Sequence, residues 1–110
     1  MILIGADFVP TKSNVDHFNK GDAAFLVGNE LLKILNNADY RIFNLEVPLT
    51  NLSSPIEKCG PNLIAPISTI NGYKAIGVDL FTLANNHILD QGDQGLQSTC
   101  DVLMKNGISF

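Results

Sequence analysis

The chain has 110 residues, of which 7 are basic and 11 acidic, so its formal net charge is −4. Apolar residues make up 45% of the sequence and charged residues only 16%, a composition typical of one folded domain and unlike that of a disordered chain. The acidic balance and the lack of a Lys/Arg cluster argue against nucleic-acid binding. No apolar run approaches the roughly 18 residues of a membrane-spanning helix, so we expect a soluble chain whose compartment the sequence leaves open.

The first predicted elements are a strand and a helix. An apolar run over residues 2–4 stops just before Asp7, which is typical of a buried strand. Residues 8–21 are predicted to form a loop. A helix is predicted over 22–37, because apolar residues recur there at helical spacing and Asp22 is suited to cap its start.

The second strand is followed by a long irregular segment. Residues 40–43 are β-prone and run into Asn44 and Glu46, and the strand ends at Pro48, which cannot donate to a ladder. Residues 47–66 hold four of the five prolines, so regular structure is not expected there. Loops of this length are usually functional or mobile.

The carboxyl-terminal part continues the alternation of helices and strands. The predicted elements are a short helix over 67–76, a third strand over 79–84, a helix from Gly95 that ends at Asn106-Gly107, and the opening of a fourth strand at 108–110. Nearly continuous apolar strands that alternate with helices indicate an α/β fold with a parallel sheet covered on both faces.

Each predicted strand is followed by polar residues at its carboxyl end. These are Asp7 after the first strand, Asn44 and Glu46 after the second, and Asn86 and His87 after the third. In open α/β sheets the carboxyl ends meet at one edge, where ligands bind. Carboxylate and amide oxygens with one imidazole suit Mn, Zn, Fe, Mg or Ca. Taken singly, each residue has a structural alternative, because strand-end Asp and Asn often form turns or helix caps.

Three segments resemble successive motifs of the bacterial capsule synthesis family, the CapA-like proteins of poly-γ-glutamate synthesis. The segments are IGADFVPT, NADYRIFNLEVPLT and GVDLFTLANNHILDQGDQGLQSTCDVLMKNGI. The resemblance implies a calcineurin-type metallophosphatase fold, in which residues 1–110 would be a single partial domain, the amino-terminal half of an αββα sandwich.

The resemblance also implies roles for individual residues. Asp7, Glu46 and Asn86 would bind a divalent metal, as one or two ions of Mn, Zn, Fe or Ca; His87 would be catalytic, as a proton donor or charge stabiliser; and Asn44 and Asp90 would bind substrate or orient other groups. For Asp90, the alternative is a solvated cap at a helix entry. No histidine follows Asp7 closely. His17 in the 8–21 loop is a candidate substitute ligand, and the alternative is a solvated loop histidine.

The function that this resemblance implies is biosynthesis or handling of capsule or poly-γ-glutamate, with a metal-dependent phosphoesterase-like site that is incomplete in this chain. The substrate would be an anionic polymer or a phosphoester. The alternative is a metal-free, non-catalytic scaffold or partner-binding module with the same fold. A nucleotide-binding domain is disfavoured, because no GxGxxG or P-loop follows a strand. A half-fold would leave apolar surface bare, so we expect a homo-oligomer.

Overall fold

The computed structural model describes residues 1–110. Three strands form a parallel sheet in the order β1-β2-β3, and helices flank it. The strands are β1 (Ile2–Asp7), β2 (Tyr40–Asn44) and β3 (Leu80–Thr82); the helices are α1 (Val15–Lys20), α2 (Ala23–Val27), α3 (Asn29–Asn37), the 3-10 helix Ile67–Thr69, α4 (Ile70–Ile76) and α5 (Gly92–Lys105). The predicted α/β class is confirmed. No helix combines the length and the apolar character that crossing a membrane requires.

The register of the sheet aligns the carboxyl ends of the strands. Asp7 of β1 lies opposite Asn44 of β2, and Asn44 lies opposite Thr82 of β3. Because all three strands are parallel, these residues lie side by side at one edge. Asp7 and Asn44, which the sequence predicts at one edge of the sheet, therefore lie together at its carboxyl edge.

The amino-terminal helices differ from the prediction. The helix expected over 22–37 is divided into α2 and α3 at Gly28, whose φ of 78° lies outside the helical region. The capping role of Asp22 is confirmed, since its side chain accepts a hydrogen bond of 3.2 Å from the Phe25 amide. The segment 8–21, expected to be a loop, contains α1, a helix of six residues that is too short to show a clear period.

The carboxyl-terminal elements follow the prediction with changed limits. The helix expected over 67–76 is confirmed, with its first turn in 3-10 geometry. The strand expected over 79–84 is limited to β3, and the last helix begins at Gly92 and not at Gly95. Residues 108–110 form a single parallel bridge to β3 where a fourth strand was expected.

An aromatic cluster joins α1 and α4 to the sheet. Phe18, Tyr73 and Phe81 are completely buried. The ring centroid of Tyr73 lies 4.9 Å from that of Phe18 and 4.9 Å from that of Phe81. The Tyr73 hydroxyl donates a hydrogen bond of 2.6 Å to the Phe8 carbonyl, and burial raises the pKa of this hydroxyl well above its ordinary value. This cluster fixes the segment that follows β1.

The other face of the sheet is partly open. Ile4 lies opposite Ile42, which lies opposite Leu80, and Ile2 lies opposite Tyr40, so these five residues share one face. We call it the apolar sheet face. Ile2 and Ile4 are 65% and 75% exposed, whereas the other three are half-buried. The expected cover on both faces is therefore missing along β1.

Candidate functional site

Hydrogen bonds between side chains connect the carboxyl ends of the three strands. The Asn44 amide nitrogen donates to Asp7 Oδ1 at 2.7 Å. The Asn44 amide oxygen accepts from Thr82 Oγ1 at 2.9 Å and from Asn85 Nδ2 at 3.2 Å. The structure thus brings Asp7 and Asn44 into direct contact and adds Thr82 and Asn85.

Asn85 shapes the turn that follows β3. Its Nδ2 also donates to the Leu45 carbonyl at 2.9 Å, and its Oδ1 accepts from the backbone amides of His87 and Ile88 at 3.0 and 2.9 Å. This is the Asx-type turn that asparagine favours. The backbone at His87 is therefore tied to the same network as Asp7.

His87 is paired with a buried carboxylate. Its Nδ1 lies 2.7 Å from Oδ2 of Asp90, and no hydrogen-bond partner occupies its Nε2. The Asp90 side chain is only 1% exposed, whereas that of His87 is 15% exposed. Asp90 is therefore not the solvated helix cap considered as its alternative.

Two further donors reach Asp90 from residues 47–66, which we call the proline-rich segment. Lys58 Nζ lies 2.6 Å from Oδ1, and the Leu63 amide donates to Oδ2 at 2.6 Å. Burial alone raises the pKa of Asp90, but the Leu63 amide, Lys58 and His87 together outweigh burial. The pKa of this carboxyl consequently lies below its ordinary value, and Asp90 is ionised at neutral pH.

The same part of the chain holds the proline-rich segment in place. The Asp90 carbonyl accepts from the Ile56 amide at 3.0 Å. Gln91, which is buried, accepts from the Ser54 amide at 2.7 Å and donates to the Leu63 carbonyl at 3.0 Å. The segment is irregular, as predicted, but it is anchored to the residues next to His87.

Glu46 and Asn86 are the predicted ligands with the fewest contacts. Glu46 follows β2 and is half-buried, and its carboxylate forms no hydrogen bond. Asn86 is exposed and its side chain forms none either, although its carbonyl accepts from Lys58 Nζ at 3.3 Å. Both side chains keep their oxygen atoms free.

His17 is engaged away from the strand ends. Its ring stacks on Phe25 with 3.4 Å between centroids, and its Nδ1 lies 3.4 Å from Asp22 Oδ2. It lies in α1 and forms no hydrogen bond with a strand-end residue. The structure gives no support for its use as a substitute metal ligand.

The donors at this edge fit an oxygen-preferring cation by their chemistry. No group of three or more His, Cys, Asp and Glu side chains is gathered closely enough to hold a metal ion. Oxygen atoms without a hydrogen bond remain on the Asp7 carboxylate, the Glu46 carboxylate and the Asn86 side-chain amide. These are hard ligands of the kind that Mg²⁺, Mn²⁺ and Ca²⁺ prefer. An ion here would need these side chains to turn toward one another.

Four residues of the network were missed by sequence reasoning. They are Lys58, Thr82, Asn85 and Gln91. Asn85 had a detectable signal, because an asparagine directly after a strand favours a turn. Lys58 had none, since it is far from His87 in the chain and only the fold brings the two together.

A protein-family model matches nearly the whole chain. The model of a family described as bacterial capsule synthesis protein PGA_cap matches residues 7–110. No curated protein matches the sequence significantly. The matched range includes every residue of the network described above.

Proposed function

The chain belongs to the bacterial capsule synthesis protein family, and from this premise we propose that the carboxyl edge of its sheet is a metal-dependent hydrolytic or transfer site. Its substrate would be an anionic polymer of the capsule or poly-γ-glutamate type, or a phosphoester. The observation that carries the proposal is the hydrogen-bonded network that joins Asp7, Asn44 and the His87 turn. Such a network holds polar groups in fixed positions, which catalysis requires.

In this proposal Asp7, Glu46 and Asn86 would hold one or two divalent ions, which would supply Lewis-acid polarisation of the reacting phosphoryl or acyl oxygen. Asn44 orients Asp7 through its amide hydrogen bond. The role of a proton donor or charge stabiliser goes to His87, because its Nδ1 is bound to Asp90 and its Nε2 is free. Asp90 orients the ring.

Metal binding tests this proposal directly. We expect Mn²⁺ or Zn²⁺, added to protein freed of metal with a chelator, to raise the melting temperature, because a ligand at tenfold its Kd stabilises the fold by about 1.4 kcal/mol. The Asp7→Asn and Glu46→Gln variants should lose this shift. Asp16→Asn is the matched control, since Asp16 is exposed in α1 and has no partner.

Two outcomes would count against the metal site. One is the absence of any metal-induced shift or heat of binding in the wild-type protein. The other is an equal shift in all three variants, which would put the ion elsewhere on the surface. The first result would favour the metal-free scaffold or partner-binding module, and the second would remove the metal from the proposed site.

We also propose that two copies of the chain associate through the apolar sheet face. The support is the exposure of Ile2 and Ile4 and the unpaired edge of β1, which bonds only to β2. None of the five residues of this face is charged. Two chains, each with a net charge of −4, can therefore bring these faces together without opposing like charges.

Sedimentation tests this association. At tens of micromolar the wild-type protein should sediment as an oligomer and Ile4→Lys as a monomer, because the lysine would bury a charge in the contact. Met104→Lys is the control, since Met104 is also exposed but lies on α5. A monomeric wild-type protein that binds no hydrophobic dye would contradict the proposal.

A further inference from the structure

Lys58 is the cation that the proline-rich segment brings to the His87 turn. Its Nζ lies 2.6 Å from Asp90 Oδ1 and donates to the Asn86 carbonyl at 3.3 Å. The Lys58 side chain is 20% exposed and its partner carboxylate 1% exposed. This is a desolvated ion pair, unlike the solvated lysine pairs that contribute little to stability.

The three donors around Asp90 restrict the carboxylate in different ways. Lys58 holds Oδ1, whereas the Leu63 amide and His87 share Oδ2. A carboxylate held at only one oxygen can turn about its Cβ–Cγ bond, but one held at both cannot. Two of the three donors come from the proline-rich segment, so that segment determines which oxygen is presented to His87.

From this geometry we propose that Lys58 is a positioning residue, which acts through Asp90 to hold the His87 ring with Nδ1 bound and Nε2 free for the substrate. The inference rests on the role of His87 in the proposed function. Partners beyond the reacting residue fix the ring orientation and tautomer of a histidine in this way. The proline-rich segment is then a part of the site and not only a connection.

The experiment is nuclear magnetic resonance of the uniformly ¹⁵N-labelled protein, read at the histidine ring nitrogens, the lysine ammonium groups and the backbone amides, at a fixed and mildly alkaline pH and without metal. In the wild-type protein we expect a protonated Nδ1 of His87 with a slowly exchanging hydrogen at low field. His17 is the internal reference, since its Nδ1 is 3.4 Å from the more exposed Asp22. Lys58→Met should lose the slow His87 signal while the backbone amide spectrum remains that of the folded protein.

Two control variants complete the design. Lys58→Arg keeps a cation that reaches Oδ1, so it should keep the slow signal. Lys33→Met removes an exposed lysine of α3 that has no partner, and it should leave the signal unchanged. A ring that depends on the Lys58 cation predicts loss of the signal in Lys58→Met alone, whereas a lysine that only stabilises the fold predicts that a folded Lys58→Met protein keeps the signal.

A folded Lys58→Met protein with the wild-type His87 signal would overturn the proposal. If Lys58→Met does not fold, the proposal is tested by hydrogen exchange in the wild-type protein. Slow exchange of both the His87 Nδ1 hydrogen and the Lys58 ammonium would support the proposal, and exchange at His87 as fast as at His17 would overturn it. No metal or substrate is used, so this test can fail while the metal site survives, and the reverse also holds.

Discussion

Replacement of Asp90 by Asn is expected to lower the free energy of unfolding by about 3–5 kcal/mol, the usual cost of removing one partner from a buried ion pair. The amide leaves the Lys58 ammonium, which is largely desolvated, without its counter-charge. The asparagine amide also accepts hydrogen bonds from the Leu63 amide and from His87 less well than the carboxylate does. Urea denaturation of the wild-type and variant proteins measures the loss.

Asp93→Asn is the matched control for this prediction. Asp93 lies three residues away in the first turn of α5 and is exposed. The Asp93→Asn substitution should lower the free energy of unfolding by only about 0.5 kcal/mol, because it removes one favourable interaction with the helix dipole. Equal effects of the two substitutions would mean that the Asp90 cluster does not contribute to stability as a buried ion pair.

Lowering the pH should remove the contribution of Asp90 to the free energy of unfolding. The pKa of Asp90 in the folded protein lies below its ordinary value of 3.8, so the folded state holds the ionised form more strongly than the unfolded state does. The resulting stability is fully present above about pH 3.8 and is lost as the pH falls through the lower, folded-state pKa. The difference in free energy of unfolding between the wild-type protein and Asp90→Asn should therefore become smaller below pH 3.8. A difference that stays constant down to the acid transition would contradict this.

Gly72→Ala should destabilise the protein by about 2–3 kcal/mol, although alanine is the better helix former by about 1 kcal/mol. A Cβ at this position in α4 would lie 2.5 Å from Cδ1 and 2.8 Å from Cα of Phe18. The ring can turn aside, but the Cα belongs to the backbone of α1. The two helices would have to separate, and the packing of Phe18 against Tyr73 would loosen.

Lys74→Ala is the control, because Lys74 is exposed in the same helix and its replacement changes helix propensity only slightly. Thermal and urea denaturation should place Lys74→Ala close to the wild-type protein and Gly72→Ala well below it. A Gly72→Ala protein that is as stable as the wild type would mean that α1 is not pressed against α4.

The alternation of the three strands with the larger helices was accessible from the sequence, because periodicity and turn residues are local properties, whereas α1 was predicted as a loop. The positions of Asp7 and Asn44 at one edge followed from the same reading, since parallel strands place their carboxyl ends together. The resemblance to capsule synthesis proteins, carried by the motifs around Glu46 and His87, agreed with the family match over residues 7–110. The division of one predicted helix at Gly28 was missed, because the apolar period continues across the break.

The surroundings of His87 were decided only by the tertiary structure. Asp90 lies three residues after His87 in the sequence, but its burial and its pairing with Lys58 depend on how the proline-rich segment folds back. Gly72 weakened the prediction of its helix because glycine has a low helix propensity, whereas in the fold its missing side chain lets α1 approach α4. Sequence periodicity reports which residues face the core, and contacts between distant segments follow from packing that no local pattern encodes.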